Sequence, residues 1–350
     1  MYYISKNYKS LFSAAGKAKT DYEYVLNKMG FINLGFKQSS IPNSTIGAIK
    51  NFFGITLALI KLPFGAILCT QYPINKYRKY ILLVAKIKRC KIITLIHDVR
   101  FLRGRTRDRE KELTKLKKSD AIIVHNLVMK NWFLDHNIDR DIISLDLFDY
   151  ISELRPDQND HVTANGKYGI VYAGGMSGEK NSYLYDFDTL SNSNYYLNLY
   201  GKGFEEDQRK VDQKDSILTY HGALPSDKVA FSIKGHFGLV WDGPSTKTCT
   251  GRFGEYLRFN NPHKTSLYLL SGLPVIIWNE AALAPFIVDN NLGIGISNLE
   301  TLEAVLSGLS KADYDKMKKS VIEFQDKVMS GYHAETATRK AAALLKGSMD

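Results

Sequence analysis

The chain has 350 residues, 44% hydrophobic and 12% aromatic, a globular composition that excludes disordered and fibrous classes and favours two domains over one. Its three cysteines, Cys69, Cys90 and Cys249, are odd in number and form no Cys-x-x-Cys pair, so a reducing compartment is expected rather than a disulfide framework. The net charge of +11 is unevenly shared: residues 1–155 hold 27 Lys and Arg against 13 Asp and Glu, while the remainder holds 20 against 23, which leaves a basic half to meet an anionic partner or simply to keep the chain soluble.

The amino terminus, MYYISKNYKS, has no basic segment leading into an apolar one, so no signal peptide is expected and the location is taken as cytoplasmic. Tyr2–Ser5 reads as a short strand, followed by the small-residue loop Ser13–Gly16 and a helix to about Met29 with Gly30 as its cap. Strands follow near Phe31–Phe36, Ala66–Gln71, Lys91–His97, Ala121–His125 and Asp141–Leu145, with helical patterns between them. The apolar stretch Asn51–Thr70 is broken by Lys61 and Pro63, and reads as a helix and a buried strand rather than a membrane span. This βαβ series predicts a parallel sheet covered by helices on both faces, over residues 1–150.

The polar stretch Asp149–Lys167 reads as connecting chain, with the linker proper at 151–167. A second series occupies 168–330, with strands near Gly169–Ala173, Tyr195–Tyr200, Ile217–His221, Phe237–Trp241, Val275–Trp278 and Gly293–Ile296. Helices close the chain, and residues 331–350 are expected to return to the first domain. Ligands of such sheets sit outside the carboxyl ends of the strands, so two facing sheets would share one central cleft.

The residues at those strand ends carry the chemistry. In Asn260–Ile287, NNPHKTSLYLLSGLPVIIWNEAALAPFI, a buried strand follows a helix whose mouth carries His263 and Lys264, where a helix end and an ammonium would both hold phosphate. GIVYAGGMSGEK (Gly169–Lys180) sets Gly174 and Gly175 after a strand, where bare backbone approaches a diphosphate, although it is not the dinucleotide pattern G-x-G-x-x-G. LNLYGKGF and LTYHGALP repeat strand, aromatic and glycine, so that Tyr200 or Tyr220 would flank a base. In the first half, KIITLIHDVRFLRG ends a strand at His97-Asp98, where Asp98 would serve as a general base or else cap the next helix and orient His97. The arginines that follow, Arg100 and Arg103 among them, would grip an anionic acceptor or form a solvated face. The pairs Asp186/Asp188 and Asp313/Asp315 have a metal-holding spacing but fall away from strand ends, so no metal is expected.

Together HDVRFLRG, SDAIIVHNLVMKNWF, the YAGG loop, GHFGLVWDG and NNPHKTSLYLLSGLPVIIW resemble bacterial GT-B glycosyltransferases over most of the chain. The resemblance is to galactofuranosyltransferases and to the glucosyltransferases that extend glycans on serine-rich adhesins. It implies an α/β fold of two Rossmann-like doubly wound domains facing a central cleft, with C-terminal helices. It also implies metal-independent transfer of a hexose (galactofuranose foremost, glucose or galactose as alternatives) from a UDP-sugar to a hydroxyl of a surface glycan, a lipid-linked glycan or a glycoprotein; with Asp98 as base the transfer would invert configuration, whereas retention would leave Asp98 only a positioning role. By position, Gly174, Gly175, Lys180, Tyr200, Tyr220, His263, Lys264, Ser13 and Gly16 would contact the donor, Asp98 beside His97 would be the base, and Arg100 and Arg103 would meet the acceptor. The glutamate that binds ribose in related families has no clear counterpart, and His263–Ser266 takes its place. An epimerase of the same architecture and a non-catalytic scaffold of a glycan-assembly complex are the rival readings. A homo-oligomer, peripheral docking on an anionic inner membrane face and no nucleic-acid partner complete the expectations, the last because the arginine loop lacks interleaved aromatics.

Overall fold

The structure is a computed structural model that describes residues 1–8, 14–73, 77–156, 167–190, 194–212 and 214–347. The chain divides into two compact units, one of Met1–Ile151 with Gly331–Asp350 and the other of Ser152–Ser330.

In chain order, the first unit contains β1 (Tyr2–Tyr3), α1 (Ala14–Lys28), β2 (Ile32–Asn33), α2 (Ser44–Lys61), β3 (Ile67–Tyr72), α3 (Arg78–Ile87), β4 (Lys91–Ile96), α4 (Arg109–Leu116), β5 (Ala121–Val124), α5 (Leu127–Asp135) and β6 (Asp141–Ser144). Its six strands are all parallel, in the order β2-β1-β3-β4-β5-β6. The central strands are apolar on both faces because helices cover both. On one face Cys69, Ile93, Leu95 and Ile123 pack against Tyr22, Val25 and Leu26 of α1. On the other, Leu68 and Ile92 pack against Ile55, Ala58 and Leu59 of α2 and Ile81 and Ala85 of α3.

The strands expected at Tyr2–Ser5 and Phe31–Phe36 shrink to two residues each. The Asn33 side chain explains this: its Oδ1 accepts the backbone N–H groups of Ser5 (3.0 Å) and Gly35 (2.9 Å), ending the ladder. Gly16, expected in a loop, lies within α1, and Ser13 lies outside the described residues.

The second unit contains β7 (Tyr168–Ala173), α6 (Gly178–Asn181), α7 (Tyr183–Phe187), β8 (Tyr195–Tyr200), β9 (Leu218–Tyr220), α8 (Val229–Ser232), β10 (Phe237–Val240), α9 (Gly251–Tyr256), α10 (His263–Leu270), β11 (Val275–Trp278), α11 (Ala284–Asp289), β12 (Gly293–Ile296), α12 (Leu302–Gly308) and α13 (Lys311–Ser330). Its sheet is again six-stranded and parallel, in the order β12-β11-β10-β7-β8-β9.

The last helix, α14 (Tyr332–Gly347), belongs to the first unit. Its small face of Ala334, Ala337, Ala341 and Ala342 joins the core beside α1, and Tyr22 Oη meets Thr338 Oγ1 at 3.1 Å. Asp149 is buried and caps this helix, its carboxylate accepting the N–H groups of His333 (3.2 Å) and Ala334 (2.7 Å). Burial pushes the Asp149 carboxyl up to about 8. Asp149 is therefore part of a core, although its sequence neighbourhood reads as polar connector. Among the described residues, no helix is long and apolar enough to cross a membrane.

Candidate active site

In the second unit, four adjacent strands, β10, β7, β8 and β9, each run into a glycine of positive φ: Gly243 (121°), Gly174 (157°), Gly201 (144°) and Gly222 (72°). Three of these turns are tied in a row, and the fourth is tied to α6. Gly174 N–H donates to Tyr200 O at 2.9 Å, Gly201 N–H to Gly222 O at 2.7 Å, and Gly243 N–H to Lys180 O at 2.6 Å. At Gly201 the close approach is decisive, since an added Cβ would lie 1.8 Å from Gly174 O. The carboxyl edge of the sheet is thus a continuous rim of backbone, the setting in which parallel sheets hold anionic ligands.

The helix α10 delivers a cation to this rim. Tyr268, buried at its centre, sits on Gly238 of β10, where any Cβ would stand 2.1 Å from the ring. Its hydroxyl accepts the Ala173 N–H (2.8 Å) and donates to Leu239 O (3.2 Å), which pins the helix to the two middle strands. Lys264 lies one turn earlier on the same face. Its Nζ stands 2.9 Å from Asp242 Oδ1 and 4.2 Å from the centroid of the Tyr172 ring. Lys180 Nζ approaches the same carboxylate oxygen at 3.7 Å and Gly175 O at 3.4 Å.

Asn181 completes the group, its Nδ2 donating to Tyr172 Oη (2.8 Å) and to Asp242 Oδ1 (3.4 Å). The Asn181 carbonyl oxygen is buried and has no hydrogen-bond partner among the described residues. Two ammonium groups around one carboxylate leave a net positive charge fixed at the rim, in surroundings that screen it little. The expected residues Gly174, Gly175, Lys180 and Lys264 are thereby brought together.

Asp242 is the residue that sequence reasoning missed. In GHFGLVWDG it looks like an ordinary turn acid; the parallel register of β10 beside β7 brings it to Lys180 of α6, and the packing of α10 on β10 brings it to Lys264. The available signal was its place immediately beyond a buried apolar strand.

The two tyrosines have defined surroundings. Tyr200 is buried, its ring stacked on His221 at 4.6 Å, and its hydroxyl accepts the Lys234 N–H. Burial raises its pKa. Tyr220 is half-buried, and its hydroxyl donates to Gly201 O at 2.8 Å, tying it to the rim. His263 opens α10, half-buried, immediately before Lys264.

In the first unit, His97 and Asp98 follow β4 at the carboxyl edge of that sheet. Gln71 on the neighbouring strand β3 holds the imidazole: its Oε1 lies 2.6 Å from His97 Nε2. Its Nε2 donates to Lys19 O at 3.3 Å and to Tyr8 Oη at 3.5 Å. A carbonyl oxygen can only accept, so the amide orientation is fixed and His97 must carry its proton on Nε2. The ring is also stacked on Phe148, which meets buried His125 edge-on. Burial drives His125 down to about 3, so it stays neutral.

Asp98 is paired with Arg103 from its own loop, with about a quarter of each side chain exposed. Arg103, expected to meet an acceptor, is therefore turned onto the carboxylate. Buried Glu112 of α4 fixes that loop, accepting the N–H groups of Arg100 (2.9 Å) and Phe101 (2.7 Å) and the Tyr72 hydroxyl (2.6 Å).

Deeper in the same edge, buried Glu23 of α1 accepts the Ser5 hydroxyl at 2.6 Å and the Tyr8 hydroxyl. Burial pushes its carboxyl up to about 7, and desolvation lowers nearby Lys6 to about 8. Of the acidic pairs, Asp188 accepts from Ser216 Oγ (2.7 Å) and Ile217 N (3.0 Å), and Asp186 pairs with Lys210.

Residues 1–147 match the N-terminal domain, and residues 170–341 the C-terminal domain, of the glucosyltransferase 3-like family. A beta-1,6-galactofuranosyltransferase of Escherichia coli K12 (WbbI) is 31% identical over 247 residues, covering 70% of this chain and 69% of that protein. Glucosyltransferase 3 of Streptococcus gordonii is 23% identical over 344 residues, 94% of this chain and 96% of its own length. Among solved structures, the lipopolysaccharide outer core galactosyltransferase WaaB in its apo form superposes with a TM-score of 0.57 at 13% identity, over 97% of this chain and 99% of that one. That likeness identifies the fold as GT-B, two Rossmann-like units in one chain.

Proposed function

This chain belongs to the glucosyltransferase 3-like family of bacterial glycosyltransferases, and from that premise we propose that it transfers a hexose from a UDP-sugar to a hydroxyl of a surface-glycan or glycoprotein acceptor. The observation that carries the donor assignment is the grouping of Lys264, Lys180 and Asp242 on the glycine rim of the second unit. Galactofuranose is the favoured sugar, in keeping with the more similar of the two curated relatives; glucose and galactose are the alternatives.

Departure of UDP develops negative charge on the diphosphate. The net positive charge of the lysine pair and the N–H groups of the Gly174–Gly175 turn would stabilise it in place, with Asp242 holding both ammonium groups so that little reorganisation is needed. Tyr220 and His263 border this rim and would bound the nucleoside. Asp98, beside His97, would take the proton of the acceptor hydroxyl as it attacks, which gives inversion at the anomeric carbon. No step in this scheme assigns work to a metal ion, the charge on the leaving group being met by lysine.

The test is a thermal-shift screen against UDP-galactofuranose, UDP-glucose, UDP-galactose and UDP, followed by product analysis. Stabilisation by UDP and by one of the three sugars is expected. No response to any of them would overturn the donor assignment. Release of a free isomerised UDP-sugar without acceptor would mark an epimerase instead.

A further inference from the structure

Between Glu23 and Asp98 the sequence holds eleven Lys and Arg and not one Asp or Glu. The helix α2 lies within this span and is apolar on opposite sides. Gly47, Gly54, Ile55, Ala58 and Leu59 are buried, the last three in the core beside the sheet. Ile46, Ile49, Phe53 and Ile60, which share a stripe at helical spacing, face outward and are 53–70% exposed. Leu83 and Ile87 of α3, four residues apart, are 58% and 63% exposed, and Phe64 in the turn after α2 is 73% exposed.

The two helices run side by side as one surface. Tyr77 Oη donates to Ala48 O at 2.8 Å near one end. At the other end, Lys88 Nζ donates to the carbonyls of Leu59 (2.8 Å), Ile60 (2.8 Å) and Leu62 (2.6 Å). Lys61, Lys79, Lys86 and Arg89 are exposed around it.

We propose that this face of α2 and α3 docks the protein on a bilayer surface rich in anionic lipid. An exposed apolar stripe of this extent marks an interaction surface. Its chemistry selects the partner: apolar side chains ringed by cations suit the headgroup and acyl boundary of an anionic leaflet, where each basic residue adds to the attraction. A second copy of the chain is a poor occupant. A two-fold contact would set this cationic patch against itself, with no carboxylate anywhere in the span to pair. The inference does not depend on the sugar donor or on the chemistry of transfer.

The test is flotation of the full chain with vesicles of equal parts phosphatidylethanolamine and phosphatidylglycerol, and with vesicles of phosphatidylcholine alone. Co-flotation is expected with the anionic vesicles only, weakening as salt is raised. The double variant Phe53→Ser/Ile60→Ser and the double variant Lys61→Gln/Lys86→Gln should each lose about tenfold in partitioning, with unchanged thermal midpoints. Absence of flotation at low salt would overturn the proposal, as would partitioning of the first variant equal to the parent's. A dimer in solution that dissociates in either variant would assign the face to self-association and likewise overturn it.

Discussion

The Lys264 ammonium lies 2.9 Å from the Asp242 carboxylate, and neither side chain is more than 9% exposed. A buried pair of this kind adds little net stability but is costly to break from one side, because the survivor is left charged and out of water. Lys264→Ala should therefore lower UDP-sugar turnover by about 10²–10³-fold and also destabilise the fold by roughly 3 kcal/mol, softened by Lys180 and Asn181. Lys264→Met with Asp242→Asn should recover the thermal midpoint without recovering UDP binding. Calorimetric titration with UDP on both proteins separates the two effects. Near-normal binding by the double variant would remove the pair from the donor site.

The backbone rim predicts a second asymmetry. Gly201→Ala must push its Cβ away from Gly174 O, whereas an alanine at Gly222 meets nothing within 4 Å despite its positive φ. Both substitutions carry the left-handed penalty of about 1–2 kcal/mol. Only Gly201→Ala should also displace the Gly174–Gly175 turn and weaken UDP binding, by about tenfold or more. Equal UDP affinities in the two variants would mean that the turn does not hold the ligand.

Asp98→Asn should leave UDP affinity intact and reduce transfer by about 10²–10⁴-fold, the range of a lost general base. Transfer at the parental rate would dismiss Asp98 from that role. Gln71, which holds the His97 ring, would act as a positioning residue through it. Gln71→Leu removes the acceptor of the Nε2 proton, so kcat should fall by about tenfold while KM for the UDP-sugar holds. A rise in KM without loss of kcat would show that the contact serves something else.

Glu23 makes stability depend on pH. Its carboxyl, ordinarily at 4.5, is raised by burial to about 7, so the folded chain binds a proton there that the unfolded chain has released. That contribution is present below about 4.5 and is lost as pH rises through about 7. Urea unfolding across this window should show the parent losing stability relative to Glu23→Gln, on the order of 3 kcal/mol. Lys6, lowered to about 8 by burial, is held up in part by the Glu23 charge, so carrying Lys6→Gln in both proteins keeps its titration out of the comparison. A flat difference between the two proteins would contradict the assignment.

The alternation of strands and helices was legible because each central strand is an apolar run bounded by turn residues. VIIW at β11 and IITLI at β4 are visible without any partner. The two shortest strands were overestimated because a side chain, Asn33, takes over hydrogen bonds that a pattern would give to the ladder. For the site, glycines and lysines at strand ends could be read from position alone. Asp242 could not, since what distinguishes it from any surface turn acid is the pair of ammonium groups brought to it by α6 and α10 from elsewhere in the chain. Gln71 was hidden for the same reason: nothing in LCTQYP announces an amide aimed at an imidazole beyond the end of the neighbouring strand.

The place of α14 in the first unit has a consequence for how the protein comes into being. The core beside α1 includes Ala334, Ala337 and Ala341, and Asp149 awaits the amides of His333 and Ala334. The second unit is one uninterrupted segment, Ser152–Ser330. Every residue of the second unit is therefore synthesised before α14, the helix that the core of the first unit includes.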